Sequence, residues 1–379
     1  MGITTGILFL IAAYVVPNYK QFRSMPSPFE MPENLEIVNW SDLANNVAFL
    51  PQRGWQFLIV NYGSASTAWI RSVSVVLAVV TLIVFFYILR HWYTSRVAVL
   101  GTFLFGASSW FLHQARSAEP DVLYMLAATA LLLCTAWLSE KSYTKALPIL
   151  ALIAGLLFYI PGMWLFVFVG IVLARQEVLA KWHQASKKLR ITSILLFLLA
   201  MLPMVYGFIR NPSQIITALG VPADGVLNAK IVADNIINIP GLFINGLDEP
   251  FKWLTNTPIL DVFSLFMVII GIYAYRVGHH PVRGRALAVM AILTVVLISL
   301  DGAAALGLLM PIIYLLAASG IGLMLQQWFA IFPRNPLARN IGVAWLCLAL
   351  VVVGYYHLNR YFVAWPHAAT TAQVINLEQ

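Results

Sequence analysis

Polar residues are sparse along most of this chain and fall in clusters, so the apolar runs between them set the expected architecture. Eleven runs are readable, at 3 to 16, 69 to 89, 97 to 112, 121 to 138, 146 to 160, 161 to 174, 191 to 209, 259 to 275, 286 to 300, 303 to 325 and 341 to 358. The longer ones approach the roughly 20 residues a helix needs to cross a bilayer, and the shorter ones fit buried or broken helices inside a bundle. The pattern predicts an all-α polytopic membrane protein of about eleven transmembrane helices, with residues 1–358 as the membrane domain and 359–379 as a short tail.

The stretch from 146 to 174 has Pro161-Gly162 in its middle and reads as one bent helix or two short ones. Charge decides between them. With a cytoplasmic N-terminus and two passes here, the inner loops RHWYTSR, SEKSYTK, ARQEVLAKWHQASKKLR, YRVGHHPVRGR and the stretch around Arg334 and Arg339 hold 14 of the 23 Lys/Arg but only two of the 15 Asp/Glu. A single pass would put Lys181, Lys187, Lys188 and Arg190 outside, against the positive-inside rule, so a hairpin of two short helices is expected. The C-terminus is then external, and two long outer segments follow, 17–68 and 210–258. Connections of that length rarely serve as mere linkers, and the second, with apolar clusters between Asn, Asp and Gly, reads as short helices over a cavity.

Composition sharpens this picture. Of 379 residues, 61% are hydrophobic and 10% charged, which excludes disordered, collagenous and disulfide-stapled secreted chains. The two cysteines, Cys134 and Cys347, lie in apolar runs and encode neither a disulfide framework nor a metal site. A net charge of +8 would suggest nucleic acid in a soluble protein. Spread over membrane loops it does not, and no nucleic-acid partner is expected.

Candidate chemistry gathers on the outer side. The turn HQARSAEPD places Arg116, Glu119 and Asp121 within six positions at a span end, where ionisable residues mark functional sites, although Asp121 also suits the first turn of the next helix. The first outer segment supplies Glu30, Glu33, Glu36 and Asp42; Glu30, in Ser-Pro-Phe-Glu, is nearest the first span, whereas Glu33 and Glu36 read as one solvated face. Arg71, Arg116, Arg210, Lys230, Lys252 and Arg360 face the same compartment and could hold an anion, or each could anchor an ordinary lipid headgroup. The seven histidines show no metal-ligand spacing, and no phosphate-cradling glycine loop is present.

Three stretches, SASTAWIRSVSVVLAVV, GASSWFLHQARSAEPDVLYMLAATALLL and LLMPIIYLLAASGIGLML, together with the closing YFVAWP, resemble the membrane-embedded C-type glycosyltransferase superfamily. The likeness points to bacterial relatives of dolichyl-phosphate-mannose protein mannosyltransferases and of the aminoarabinose transferase, and covers residues 1–366. It implies inverting transfer of a sugar from a polyprenyl-phosphate donor to a hydroxyl of a protein, lipid or glycan on the outer face of a bacterial inner membrane. The family's Asp-Glu pair after the first span is missing; the only Asp-Glu, Asp248-Glu249, lies in the second outer segment. Glu30 is then the best stand-in for the base, Asp42 the second, with Asp121 and Glu119 as further catalytic candidates. Arg71, Arg116, Arg210 and Lys252 would receive the donor phosphate. No cofactor is expected, with a divalent metal left open. A flippase for lipid-linked sugars and an inactive assembly partner are the alternatives; a flippase should bury charges near the midplane, yet the spans carry charge mainly at their ends.

Overall fold

A computed structural model of the chain describes residues 39–63, 66–221, 229–247, 250, 252–278 and 281–375. Among these are only helices and turns, with no strand. The first apolar run, Glu30, Glu33, Glu36, Asp248-Glu249 and His279-His280 lie outside the described residues.

Two short helices, α1 (Trp40–Asn45) and α2 (Leu50–Tyr62), precede the long α3 (Thr67–Trp92). The run from 97 to 112 is broken into α4 (Ser95–Ala107) and α5 (Ser109–Arg116), bent by 62° at Ser108. There follow α6 (Asp121–Ser139), α7 (Leu147–Leu157), α8 (Met163–Leu173), α9 (Arg175–Gln184) and α10 (Lys187–Arg210). The segment after α10 does hold helices, α11 (Gln214–Ala218) and α12 (Ala229–Asn245). The chain continues through α13 (Val262–Val277), α14 (Pro281–Asp301), α15 (Leu309–Ile331) and α16 (Pro336–Asn359), and a π-turn at Arg360–Ala364 closes the last span.

Every apolar run within the described residues coincides largely with helix, but the expected count of about eleven spans is not confirmed among them. Six helices are long and apolar enough to cross a membrane, or eight if the bent pairs α4–α5 and α8–α9 each count once. The reason is length: α13 has 16 residues and α7 only 11, short of the hydrocarbon thickness at about 1.5 Å per residue. Pro161-Gly162 does reverse the chain, with Gly162 at φ +76° in the left-handed region. The reversal is held by the other segments, Phe49 N–H donating to Tyr159 O (2.7 Å) and Gly162 N–H to Ala218 O (3.0 Å).

The loops expected to be inner converge on one end of the bundle. His91 pairs with Glu140 (3.0 Å), and Lys181 from α9 donates to the Glu140 carbonyl. Arg283 donates to Trp92 O (2.9 Å), the Tyr93 and Tyr275 hydroxyls meet (2.7 Å), and Arg96 and Arg339 both lie over the Phe329 ring. The turn between α5 and α6, the start of α2, the region around 250–261 and the end of α16 gather at the opposite end.

The most buried span, α15, is crossed closely by α13. Its contact works because Gly271 faces the Leu316 backbone and Gly320 faces the Met267 backbone, with no room for a Cβ on either side. Small residues at such crossings let backbones approach where no hydrophobic effect drives helices together. Gly320→Ala must shift a backbone and is expected to cost about 1–3 kcal/mol, seen as a lowered thermal midpoint in detergent. Gly170→Ala on α8, where nothing lies within 4 Å, serves as the control and should leave the midpoint unchanged or raise it.

Candidate functional site

The site forms around the turn between α5 and α6. Asp121 occupies the first turn of α6, where a carboxylate meets the positive end of the helix dipole. Arg116, in the last turn of α5, is buried, and its guanidinium lies over Tyr361 (5.5 Å) and Phe362 (5.0 Å) of the π-turn. The YFVAWP stretch thus folds back onto the arginine of HQARSAEPD. A cation held between ring faces in a dry setting gains from the ring quadrupoles while keeping its charge.

Three elements close over this turn. From α2, Gln52 donates to the carbonyls of Ala118 and Glu119 (3.0 Å each) and to Ser74 Oγ on α3 (3.2 Å), while Gln56 donates to Ala118 O (2.8 Å). Arg71 is buried on α3 one turn before Ser74. From the 246–261 segment, Lys252 pairs with Glu119 at 2.7 Å. Trp253, fully buried, donates to Thr257 O (2.9 Å) and faces His113 at 4.9 Å. From the end of α16, Arg360 lies over Trp253 (4.5 Å) and donates to Pro258 O (2.7 Å) and Thr257 Oγ1. Trp365 donates to Pro250 O (2.9 Å) and, with Tyr361, packs edge-on against His113.

Beneath these, His357 bridges Asp261 Oδ2 (2.9 Å) and Ser109 Oγ (3.1 Å). Ser109 and His357 are inaccessible to solvent, so this Ser-His-Asp chain ties α5, α13 and α16 together rather than meeting a substrate. Asp261 also caps α13 by accepting from Ser264 N–H (2.9 Å). Burial pushes its carboxyl up, but the hydrogen bonds from His357 and Ser264 outweigh this and hold it below the usual carboxylate range.

Of the expected site residues, Arg116, Glu119, Asp121 and Lys252 therefore come together, with Arg71 one turn from the same network. Glu119 and Lys252 engage each other, which makes them a tie between segments before any chemical role. Arg210 is exposed and sits against Tyr206 of its own helix (Nε to Oη 3.1 Å), outside the cluster. Asp42 accepts from Asn39 N–H (2.8 Å), which makes it a helix cap. Among the described residues no group of three His, Cys, Asp or Glu is placed to hold a metal ion. Sequence reading passed over Gln52, Gln56, Asp261 and His357. The i, i+4 glutamines in an aromatic stretch and a histidine inside an apolar run were the available signals.

No family model and no curated protein matches the sequence. Among solved structures, the crystal structure of an Archaeoglobus fulgidus oligosaccharyltransferase in the apo form superposes with a TM-score of 0.56 at 14% identity over 97% of this chain. The chain has an oligosaccharyltransferase-like fold. The same archaeal enzyme tethered to an acceptor peptide containing the NVT sequon gives a TM-score of 0.50 at 11% identity. This chain spans 56% and 55% of those two solved chains. The expected likeness to membrane glycosyltransferases thus holds at the level of the fold.

Two measurements probe this oligosaccharyltransferase-like arrangement. Gln52→Met removes three hydrogen bonds and is expected to cost about 1–3 kcal/mol in a detergent melt, more than Gln56→Met, which removes one. A depressed Asp261 pKa means stabilisation that is complete above the unfolded carboxyl value of about 4 and fades as pH falls through the folded value. Asp261→Asn should therefore lower the melting temperature at neutral pH, and the gap to wild type should narrow as the pH is taken below that range.

Proposed function

We propose that this protein transfers a sugar from a polyprenyl-phosphate donor to a hydroxyl of a protein, lipid or glycan acceptor, with inversion at the anomeric carbon. The observation that carries the reading is the closure of a buried arginine and a first-turn aspartate, Arg116 and Asp121, under segments from three other parts of the chain, in a fold like that of a membrane oligosaccharyltransferase. The basic end of the bundle is taken as cytoplasmic by the positive-inside rule, which puts the site on the outer face and the C-terminus outside.

The chemistry asks for few groups. The acceptor oxygen attacks the anomeric carbon as a carboxylate takes its proton, and the bond to the phosphate oxygen breaks with its electron pair leaving on the phosphate. A phosphate leaves without a protonating acid if cations receive its charge, and Arg116 and Arg71 are buried arginines at this end of the bundle that could do so. Asp121 or Glu30 would serve as the base. Lys252, by pairing with Glu119, holds its own segment over the turn.

Purified protein assayed for sugar release from polyprenyl-phosphate donors tests this. A variant lacking the base, Asp121→Asn or Glu30→Gln, should lose about 10²- to 10⁴-fold in turnover. Arg116→Ala should raise the donor concentration needed if its contact is equal in ground and transition states. Wild-type turnover in both carboxylate variants would remove these residues from the chemistry. Donor binding without turnover on any acceptor would instead favour an inactive assembly partner.

A further inference from the structure

Helix α2 is amphipathic in the inverted sense. Its two glutamines, Gln52 and Gln56, are almost wholly buried and spend their amides on the carbonyls of the α5–α6 turn, while Arg53 is half-buried. Its outward face carries Trp55 (64% exposed), Leu58 (43%) and Tyr62 (74%), at spacings of three and four residues, hence one stripe. Asn61, the polar residue beside them, turns its amide back to Phe57 O (3.0 Å). A helix between protein and water shows the reverse arrangement, so the medium outside α2 is apolar.

We infer that α2 lies in the membrane interface, with Trp55, Leu58 and Tyr62 at the boundary of lipid headgroups and acyl chains. Lipid, rather than a protein partner, is indicated by continuity with the neighbouring span. The exposed face of α3 carries Trp69, Val76, Val80 and Tyr87, an apolar stripe along a helix long enough to cross the bilayer, and α2 packs beside its start. Composition agrees, because Trp and Tyr favour the interface through an apolar ring with a polar edge. Three of the four exposed tryptophans among the described residues, Trp40, Trp55 and Trp69, fall in this region, and Trp40 packs on Phe57 of α2 (4.4 Å).

The consequence reaches the site. Because Gln52 and Gln56 bolt α2 to the turn bearing Glu119 and Asp121, the lipid surface sets the depth of that turn. The inference needs only the membrane-spanning reading of α3 and no activity, so its failure and that of the proposed reaction are separable.

Spin labels test it. After Cys134→Ala and Cys347→Ala, the variants Trp55→Cys, Leu58→Cys and Tyr62→Cys are labelled one at a time in nanodiscs of phosphatidylcholine and phosphatidylglycerol. Collisions with oxygen, which partitions into lipid, are compared with those of a water-soluble nickel chelate. Oxygen collisions severalfold in excess at all three sites, against a chelate excess at Ser41→Cys on the exposed face of α1, are expected. A chelate excess along the stripe would overturn the inference, as would an immobilised label shielded from both reagents, since that would mean a protein cover. If Trp55→Cys fails to fold, the Leu58 and Tyr62 positions decide the matter by the same criterion.

Discussion

Carbonyl groups at helix ends dominate the construction of this protein. A helix leaves its last carbonyls without backbone partners, and a membrane offers little water to satisfy them. Here long side chains from other elements supply the donors. Gln52 and Gln56 cover the end of α5, Lys181 the end of α6, and Arg283 the end of α3. Arg360 and Trp365 do the same for the carbonyls of Pro258 and Pro250. Each such bond links segments that packing alone would let slide, so the broken helices acquire fixed positions from the groups that their breaks expose.

The same constraint explains what could be read from the sequence. Hydrophobic runs announce helices because burial in lipid needs them, and α3 to α8, α10 and α13 to α16 follow that pattern, whereas α9, α11 and α12 lie outside the apolar runs. The bend at Ser108 was invisible. GASSW contains no proline, and the break is stabilised locally by Ser108 Oγ, which accepts from Phe111 N–H (3.2 Å) and donates to Phe105 O (2.8 Å). A small hydroxyl that can cap a helix looks, in sequence, like one that merely sits inside it. Span number is hard to read for a related reason, since hydropathy records that a segment is apolar and not whether its axis crosses the bilayer.

At the candidate site, local information was legible and distant pairing was not. Arg116, Glu119 and Asp121 are six residues of sequence and one turn of structure, so their proximity needed no fold. Lys252 was expected as a phosphate ligand because it is basic and on the right side, yet its nearest charge is Glu119, far away in sequence. His357 and Asp261, 96 residues apart, show the same limit. Neutral glutamines carry no charge signal and belong to no motif, although Gln52 alone makes three hydrogen bonds, two to the turn and one to Ser74 on α3.

The distribution of charge then separates holding from reacting. Glu119 and Lys252 pair at 2.7 Å, and Asp261 and His357 share a hydrogen bond in the core, so each pair fixes a segment. Arg116 is different. Its guanidinium lies over the Tyr361 and Phe362 rings, whose faces favour a cation. Asp121, one helix turn away in the chain and at the start of α6, leans on a dipole that favours its ionised form. A buried cation and a first-turn acid thus share one short turn, and amides from α2 clamp that turn, so the two charges are held at fixed positions by groups that carry none themselves.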